Sequence, residues 1–225
     1  MNSLKTYDGV QWNQYVRGAG ILSGVGICRA VEMELITIDP FRKEHLNPSS
    51  IDLTLGNQIR VYNAVVEVDR SKGRMDSGYG IYPVKAVIPC LDVTRDNETI
   101  LIENKPGDTF LLKPDVLYLC HTVERVCTKG FNPVIDGKSS LGRLGISVHE
   151  TAGYGEAGFD GQYTLEVTVS HHVLVQIGMR FCQMRFHTIA DRVVLYQGHY
   201  QGENATGAVS SRTWEQIQEQ KDGEG

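Results

Sequence analysis

The residues most able to do chemistry lie in the middle of the chain. One run is small and basic: Gly137-Lys138-Ser139-Ser140-Leu141-Gly142-Arg143. Small residues let backbone N–H groups approach a phosphate, and Lys138 and Arg143 add positive charge and hydrogen-bond donors. The composition of this run therefore favours anion binding, although small polar residues are also common in ordinary loops.

Two further features follow within thirty residues, a glycine-rich stretch at 152–161 and an acid in an alternating run, Tyr163-Thr164-Leu165-Glu166-Val167. Glycine allows the backbone to pass close to a sugar or a base. A carboxylate in an otherwise apolar strand can have its pKa raised towards that of a general base. A Glu at such a position more often faces water, so Glu166 alone does not establish catalysis.

Two well-known site patterns are excluded by context. Residues 153–158 fit G-x-G-x-x-G, but they lead into a predicted strand, whereas a dinucleotide fingerprint opens a helix. A zinc deaminase needs H-x-E followed by P-C-x-x-C, but here His149 and Glu150 are adjacent and Cys90 has no partner. His171 and His172 are expected to be neighbours on one strand, pointing to opposite faces. We therefore predict no catalytic metal held by protein ligands.

Length and composition indicate one soluble domain. The chain has 225 residues and a formal net charge of −5, so bulk charge does not favour a nucleic-acid surface. Its five cysteines include no C-x-x-C pair, and there is no signal peptide or long apolar run. These features predict a protein of the reducing cytoplasm that does not enter a membrane.

The elements that would position these residues read as strands. Short alternating runs at 59–61, 100–102, 110–112 and 117–119 are separated by turn residues, and further strands are expected at 167–169, 173–177 and 179–186. Such a pattern predicts an all-β barrel or sandwich. Ser23 is a candidate helix cap. We divide the chain into an N-terminal extension (1–20), one domain (21–212) and a tail (213–225) with a short polar helix at 213–221.

Several motifs in this order resemble the dCTP deaminase branch of the dUTPase superfamily. The family's G-R-S-S-L-(A/G)-R-L-G appears as residues 137–145, and its T-A-(G/H)-x-I-D-(P/A)-G-(F/W)-x-G as 151–161, followed at the same spacing by Leu165-Glu166. Residues 48–56 resemble P-S-S-x-D-L-R-L-G, 178–186 resemble G-M-x-I-x-Q-(L/M)-x-F, and 200–212 resemble the family's Y-Q-G-Q … S-R tail. The resemblance covers most of 21–212.

This resemblance implies a fold, an activity and partners. The fold would be a distorted, dUTPase-like β-barrel with short helices, assembled as a homotrimer with active sites at subunit interfaces. The activity would be zinc-independent hydrolytic deamination of dCTP to dUTP and ammonia, with Mg²⁺ bound through the triphosphate. dUTP is a further possible ligand and dTTP a possible inhibitor.

The resemblance also implies residue roles. Glu166 would be the general base and acid, Ser139 would hold the reacting groups, Arg143 would be a fixed cation, and the carbonyl of Ala152 would position the water. Phe159 would pack on the deoxyribose. The phosphates would meet the segment Lys138, Ser139, Ser140, Leu141, Gly142 and Arg143. The base edge would meet Thr164, Leu165 and Glu166, and the remaining nucleotide contacts would come from Glu156, Tyr196, His199, Tyr200 and Glu203.

Departures from the family pattern leave the product open. Lys138 replaces an arginine, His199 a lysine and Glu203 a glutamine, while the family's I-D pair is Gly155-Glu156. Glu156 is one methylene longer than Asp, and Gly155 is expected to loosen its turn, which favours dUTP as the final product. One alternative is a hydrolase that acts at the α-phosphate, either a dUTPase or a bifunctional deaminase that forms dUMP. The T-A-G-aromatic pattern favours the bifunctional deaminase. The other alternative is a non-catalytic nucleotide-sensing trimer.

Overall fold

The computed structural model describes residues 6–7, 20–63, 66–68, 86–88, 91, 93, 96–198 and 200–211. Several predicted features lie outside these residues. They are the tail with its polar helix, nearly all of the N-terminal extension, and Cys90, His199 and Arg212. The described helices are α1 (Gly24–Glu32) and the single turn α2 (Ser139–Gly142), with 3-10 turns at Lys43–His45 and Gly202–Ala205. The strands are β1 (Thr6–Tyr7), β2 (Ile36–Asp39), β3 (Ile51–Thr54), β4 (Gln58–Tyr62), β5 (Val66–Val68), β6 (Ala86–Ile88), β7 (Thr99–Glu103), β8 (Thr109–Leu112), β9 (Tyr118–Thr128), β10 (Phe131–Gly137), β11 (Ile146–Ser147), β12 (Asp160–Val169), β13 (Val173–Gln176), β14 (Arg180–Thr188) and β15 (Val193–Val194).

The predominantly β architecture agrees with the prediction from sequence. Each predicted strand overlaps an observed one: 59–61 lies in β4, 100–102 in β7, 110–112 in β8, 117–119 at the start of β9, 167–169 in β12, 173–177 in β13 and 179–186 in β14. The prediction for His171 and His172 was wrong, because both lie in the exposed bend between β12 and β13. No helix among the described residues has the length and apolarity needed to cross a membrane.

The multi-turn helix α1 begins where the sequence predicts. Ser23 has extended backbone angles (φ −70°, ψ 165°), and its hydroxyl accepts a hydrogen bond from the Gly26 N–H at 3.2 Å. This satisfies one of the N–H groups that a helix leaves unpaired in its first turn. Ile27 and Ala30, three residues apart, are buried and attach the helix to the core.

Two sheets dominate the molecule and share one core. The larger has the order β11-β12-β9-β4-β7, with β2 also paired to β9, and the smaller has the order β10-β14-β3. Residues from both sheets are fully buried in one cluster, including Leu53, Phe181 and Met184 from the smaller sheet and Leu165 and Val167 from the larger. Packing between these faces fixes where the long strands β9 and β12 lie.

The alternation along β12 determines which side chains are available for a site. Leu165, Val167 and Val169 are buried, so Glu166 and Thr168 between them point away from the core, since successive side chains alternate across a strand. The pairing with β9 has a register irregularity between Gln162 and Thr164. Such irregularities bend a strand locally and redirect its side chains.

Candidate active site

A cavity of about 390 Å³ opens beside β12 and β9. Its walls come from these strands, from the glycine-rich loop before β12 and from the chain after β15. The structure thus brings together residues that are widely separated in sequence. Seven of the predicted site residues line this cavity: Ala152, Glu156, Phe159, Thr164, Glu166, Tyr196 and Tyr200.

Glu166 is half-buried on β12, directly opposite Leu119 of β9. Its Oε2 accepts a hydrogen bond from the backbone N–H of Glu150 at 3.2 Å. The Glu150 carboxylate in turn accepts one from the Thr168 hydroxyl at 2.8 Å. These contacts tie the loop that leads to Ala152 to the strand that carries Glu166, so the carboxylate and the Ala152 backbone keep a fixed relation.

The loop around Glu156 is held against β10. The Ile135 N–H donates to the Gly153 carbonyl at 2.7 Å, and the Gly155 N–H donates to the Pro133 carbonyl at 2.8 Å. A Cβ at Gly155 would lie 2.9 Å from the Tyr163 hydroxyl oxygen, leaving no room for one. The structure therefore gives a different reason for this glycine than the expected loosening of the turn: Pro133 and Tyr163 fill the space that a larger residue at 155 would need.

Aromatic rings form one wall of the cavity. The Phe159 ring centroid lies 4.6 Å from that of Tyr163 and 6.0 Å from that of Tyr196. The Tyr163 hydroxyl is buried and finds no hydrogen-bond partner among the described residues. Burial, with smaller effects from the charges of Cys127 and Glu156, raises the pKa of Tyr163 well above its usual range, so the phenol stays protonated. Burial also raises the pKa of Tyr196.

Tyr163 is one of the lining residues that sequence reasoning missed. In the sequence it is only one residue of an alternating run. The strand register shifts beside Tyr163, and this shift is not visible in the sequence. Because of it, the direction of the Tyr163 side chain cannot be inferred from strand alternation. The available signal was the spacing of two aromatic residues, Phe159 and Tyr163, within one turn-and-strand segment.

Residues 200–211, here called the C-terminal strap, cover part of the cavity. The Gly207 N–H donates to Gln162 Oε1 at 2.7 Å, and the Val209 N–H donates weakly to the Thr164 hydroxyl at 3.4 Å. From the other side, Arg60 Nε donates to the Ala208 carbonyl at 2.6 Å. The strap thus runs along the residues predicted to read the base. Glu203 lies exposed in its 3-10 turn.

The predicted phosphate segment lies elsewhere. None of the described residues that line the cavity comes from 138–143. Leu141 is buried, and Lys138 forms an ion pair with the buried carboxylate of Asp52. The remaining members of the segment are exposed in the single chain: Ser139, Ser140, Gly142 and Arg143. One chain therefore presents most of this segment on its surface, outside the described lining of its own Glu166 cavity.

Within the described part of the chain, no group of three or more His, Cys, Asp or Glu side chains is arranged so that it could hold a metal ion.

Comparison with known proteins identifies the family. Residues 21–189 match the model of dCTP deaminase-like proteins. A protein of Clostridium botulinum (strain Alaska E43) named "dCTP deaminase, dUMP-forming" is 33% identical over 82% of this chain and 92% of its own length. One of Leptospira biflexa with the same name is 34% identical over 80% of this chain and 90% of its own length.

A solved structure supports the fold. The 2'-deoxycytidine 5'-triphosphate deaminase of Agrobacterium tumefaciens superimposes with a TM-score of 0.52 at 19% identity. The likeness covers 77% of this chain and 49% of that one, so the chain spans about half the length of that protein. From the family model and from the sequence relatives that match most of its length, the chain belongs to the dCTP deaminase-like family.

Proposed function

We propose that this protein deaminates dCTP at C4 of cytosine and then cleaves the triphosphate of the product, releasing dUMP and pyrophosphate. The observation that carries the proposal is that two carboxylates, Glu166 and Glu156, line the same cavity. Glu166 serves the hydrolysis at C4, and Glu156 serves the hydrolysis of the triphosphate. The overall reaction consumes dCTP and two water molecules and yields dUMP, ammonia and pyrophosphate.

Deamination needs a nucleophilic water, a proton on N3 and the departure of ammonia. Glu166 takes one proton from the attacking water and gives it to N3. It then takes the second proton from the hydroxyl group formed at C4 and gives it to the amino group, which leaves as ammonia. The hydrogen bond from the Glu150 N–H fixes the carboxylate, and the Ala152 carbonyl orients the water. No zinc takes part, and Mg²⁺ enters with the triphosphate.

Ser139 and Arg143 complete this site from a neighbouring subunit of a homotrimer. The support is their exposure in one chain and their absence from the described lining of that chain's cavity. In this position Ser139 holds the reacting groups, and Arg143 is a fixed cation beside the charge that develops during attack.

In the second hydrolysis, Glu156 activates a water that attacks in line with the leaving pyrophosphate. Two facts support dUMP over the dUTP product expected from the sequence. The turn before Glu156 is held by backbone hydrogen bonds to β10, so the Glu156 side chain projects from a fixed backbone. Relatives at 33% and 34% identity carry the name "dUMP-forming".

Termination at dUTP is the second candidate function, favoured by the glutamate that stands where the family has an aspartate. A time course of dCTP, dUTP and dUMP by ion-exchange chromatography separates the two. We expect dUMP and pyrophosphate to appear without a dUTP lag, and Glu156→Ala to accumulate dUTP while still releasing ammonia. Accumulation of dUTP by the wild-type protein would overturn the dUMP assignment. Nucleotide binding without any turnover of dCTP would favour the non-catalytic trimer.

A further inference from the structure

The first residue of the predicted phosphate segment is held inside the fold by a buried carboxylate. Asp52 on β3 has a side chain only 1% exposed. Its Oδ1 accepts a hydrogen bond from Asn47 Nδ2 at 2.8 Å, and its Oδ2 is ion-paired with Lys138 Nζ. Arg180 lies farther away, at 3.5 Å from the same oxygen, and its side chain is 55% exposed. Lys138, at 23% exposure, is the nearer and better-shielded counterion.

Gln183, on the strand paired with β3, holds Gly137, the residue before Lys138. Gln183 on β14 is the register partner of Asp52 on β3. Its Nε2 donates to the Gly137 carbonyl at 2.8 Å, while its Oε1 accepts from the Ser50 hydroxyl at 3.0 Å. Neighbouring side chains on two paired strands therefore fix two consecutive residues, 137 and 138, just before the exposed segment begins.

Fixing Lys138 also fixes the direction of the α2 turn. Its carbonyl accepts hydrogen bonds from the Leu141 and Gly142 N–H groups, both at 2.9 Å, and the Ser139 carbonyl accepts from the Arg143 N–H at 3.1 Å. This turn carries Ser139 and Arg143, the two side chains of the segment that are proposed to act in the reaction. Their orientation therefore depends on the backbone at 137 and 138, which Gln183 and Asp52 hold.

We infer that Lys138 and Asp52 are a positioning pair for Ser139 and Arg143, and that Lys138 does not bind a phosphate of the nucleotide. Moving Lys138 onto a phosphate would leave a buried carboxylate with only Asn47 and the more distant Arg180, and breaking a buried ion pair is strongly unfavourable. The inference rests on the proposed function for its kinetic consequence, but the clamp itself is a property of the nucleotide-free protein.

The kinetic test compares Lys138→Met, Asp52→Asn and the double variant with dCTP as substrate. We expect Lys138→Met to lower kcat by about tenfold or more with a smaller change in KM, because Lys138 itself makes no phosphate contact while the displaced Ser139 and Arg143 serve the transition state. The double variant should be no worse than the poorer single variant, since both remove one interaction. A rise in KM for dCTP without a fall in kcat, or additive losses, would overturn the inference and make Lys138 a phosphate ligand.

A matched control removes a lysine from an exposed ion pair. Lys43 lies 4.0 Å from Glu32, and both side chains are largely exposed. Lys43→Met should leave kcat and KM unchanged, because such surface pairs contribute little. A loss of kcat in this variant equal to that of Lys138→Met would mean that removal of any lysine charge lowers the rate, and would remove the case for a specific clamp.

An exchange measurement keeps the inference independent of activity and of whether Asp52→Asn folds. In the wild-type protein without nucleotide, the amides of Leu141, Gly142 and Arg143 should exchange with deuterium slowly. In Lys138→Met they should exchange about tenfold faster or more, while those of α1 stay unchanged. Unchanged exchange in 141–143 would refute the clamp. Faster exchange in a protein that never turns over dCTP would leave the clamp standing and reject the proposed function instead.

Discussion

At the scale of single residues, the environment of Glu166 defines what a substitution can test. The carboxylate accepts a backbone hydrogen bond from Glu150, and this acceptor role survives in an amide. Glu166→Gln therefore keeps the shape and the hydrogen bond but cannot take a proton from water. We expect kcat to fall by about 10²-fold or more, with the dCTP dissociation constant nearly unchanged by calorimetry.

Glu150→Gln is the matched control for this prediction. It changes a neighbouring acid but keeps the backbone donor that holds Glu166 and an acceptor for the Thr168 hydroxyl. Its kcat should stay within a few-fold of the wild-type value. Near-native turnover by Glu166→Gln would remove Glu166 from the mechanism, whatever the control does.

His121 provides a residue-scale prediction about pH. Its Nδ1 faces the Thr122 carbonyl at 2.8 Å and its Nε2 faces the Gln58 N–H at 3.2 Å, which fits a neutral ring that donates from Nδ1 and accepts at Nε2. Burial lowers the pKa of His121 from its ordinary 6.5, an effect partly offset by the bond to Thr122. Since the unfolded chain binds the proton first, the stabilisation is present above pH 6.5 and is lost as pH falls below it.

The measurement for His121 is the melting temperature between pH 7.5 and 5. We expect it to fall with pH in the wild-type protein and to fall less steeply in His121→Gln. His171→Gln is the control, because His171 is exposed in the bend after β12 and its removal should leave the slope unchanged. Equal slopes in the wild type and His121→Gln would show that His121 does not cause the pH dependence.

At the scale of elements, the C-terminal strap is seated directly on β12. A Cβ added at Gly161 would lie 2.3 Å from Ala205 Cβ and 2.9 Å from the Ala205 carbonyl oxygen, so Gly161→Ala must push the 3-10 turn away. Because the strap also contacts Thr164 and Gln162, its displacement opens the cavity beside the base-reading strand. We expect KM for dCTP to rise by about tenfold, with a smaller effect on kcat.

Gly26→Ala is the control for the strap. Its added Cβ would lie at an ordinary 3.5 Å from Leu22, which precedes α1, and alanine in a helix is favoured over glycine by about 0.5–1 kcal/mol. This variant should bind dCTP normally and melt no lower than the wild type. An unchanged KM in Gly161→Ala would mean that the strap does not contribute to nucleotide binding.

The strands were predictable from sequence because their apolar residues alternate and glycine, proline or aspartate punctuates most of the turns. The exposed bend at His171 and His172 was missed, although the expected strands at 167–169 and 173–177 leave these residues between them. Ser170-His171-His172 contains no glycine, proline or aspartate, and the buried positions Val169 and Val175 keep the same parity on both sides. Motif spacing grouped Glu156, Phe159 and Glu166, and all three line one cavity. Pairing of Lys138 with Asp52 depends on how β3, β10 and β14 pack, which no local pattern encodes.

At the scale of the whole molecule, a single chain leaves apolar side chains uncovered. Leu111 and Leu174 are register partners on β8 and β13 and are 41% and 69% exposed, and Leu144, beside the α2 turn, is 52% exposed. Exposed apolar groups of this kind fit a surface that another subunit covers. Together with the exposed Ser139 and Arg143, they support the proposal that each site is completed by a neighbouring chain.

This proposal makes a prediction about mixtures of inactive chains. Arg143→Ala chains still carry Glu166, and Glu166→Gln chains still carry Arg143, so a shared site in a mixed trimer can contain both intact residues. After equal amounts are unfolded together and refolded, random assembly makes about a quarter of the sites complete, and dCTP turnover should recover to about that fraction of the wild-type rate. Mixing Glu166→Gln with the double variant Glu166→Gln/Arg143→Ala is the control and should restore nothing, because neither chain supplies Glu166. The first mixture could instead turn over dCTP only at the summed rate of its two parent variants. In that case the Arg143 and Glu166 that act together belong to one chain, and the shared-site arrangement is wrong.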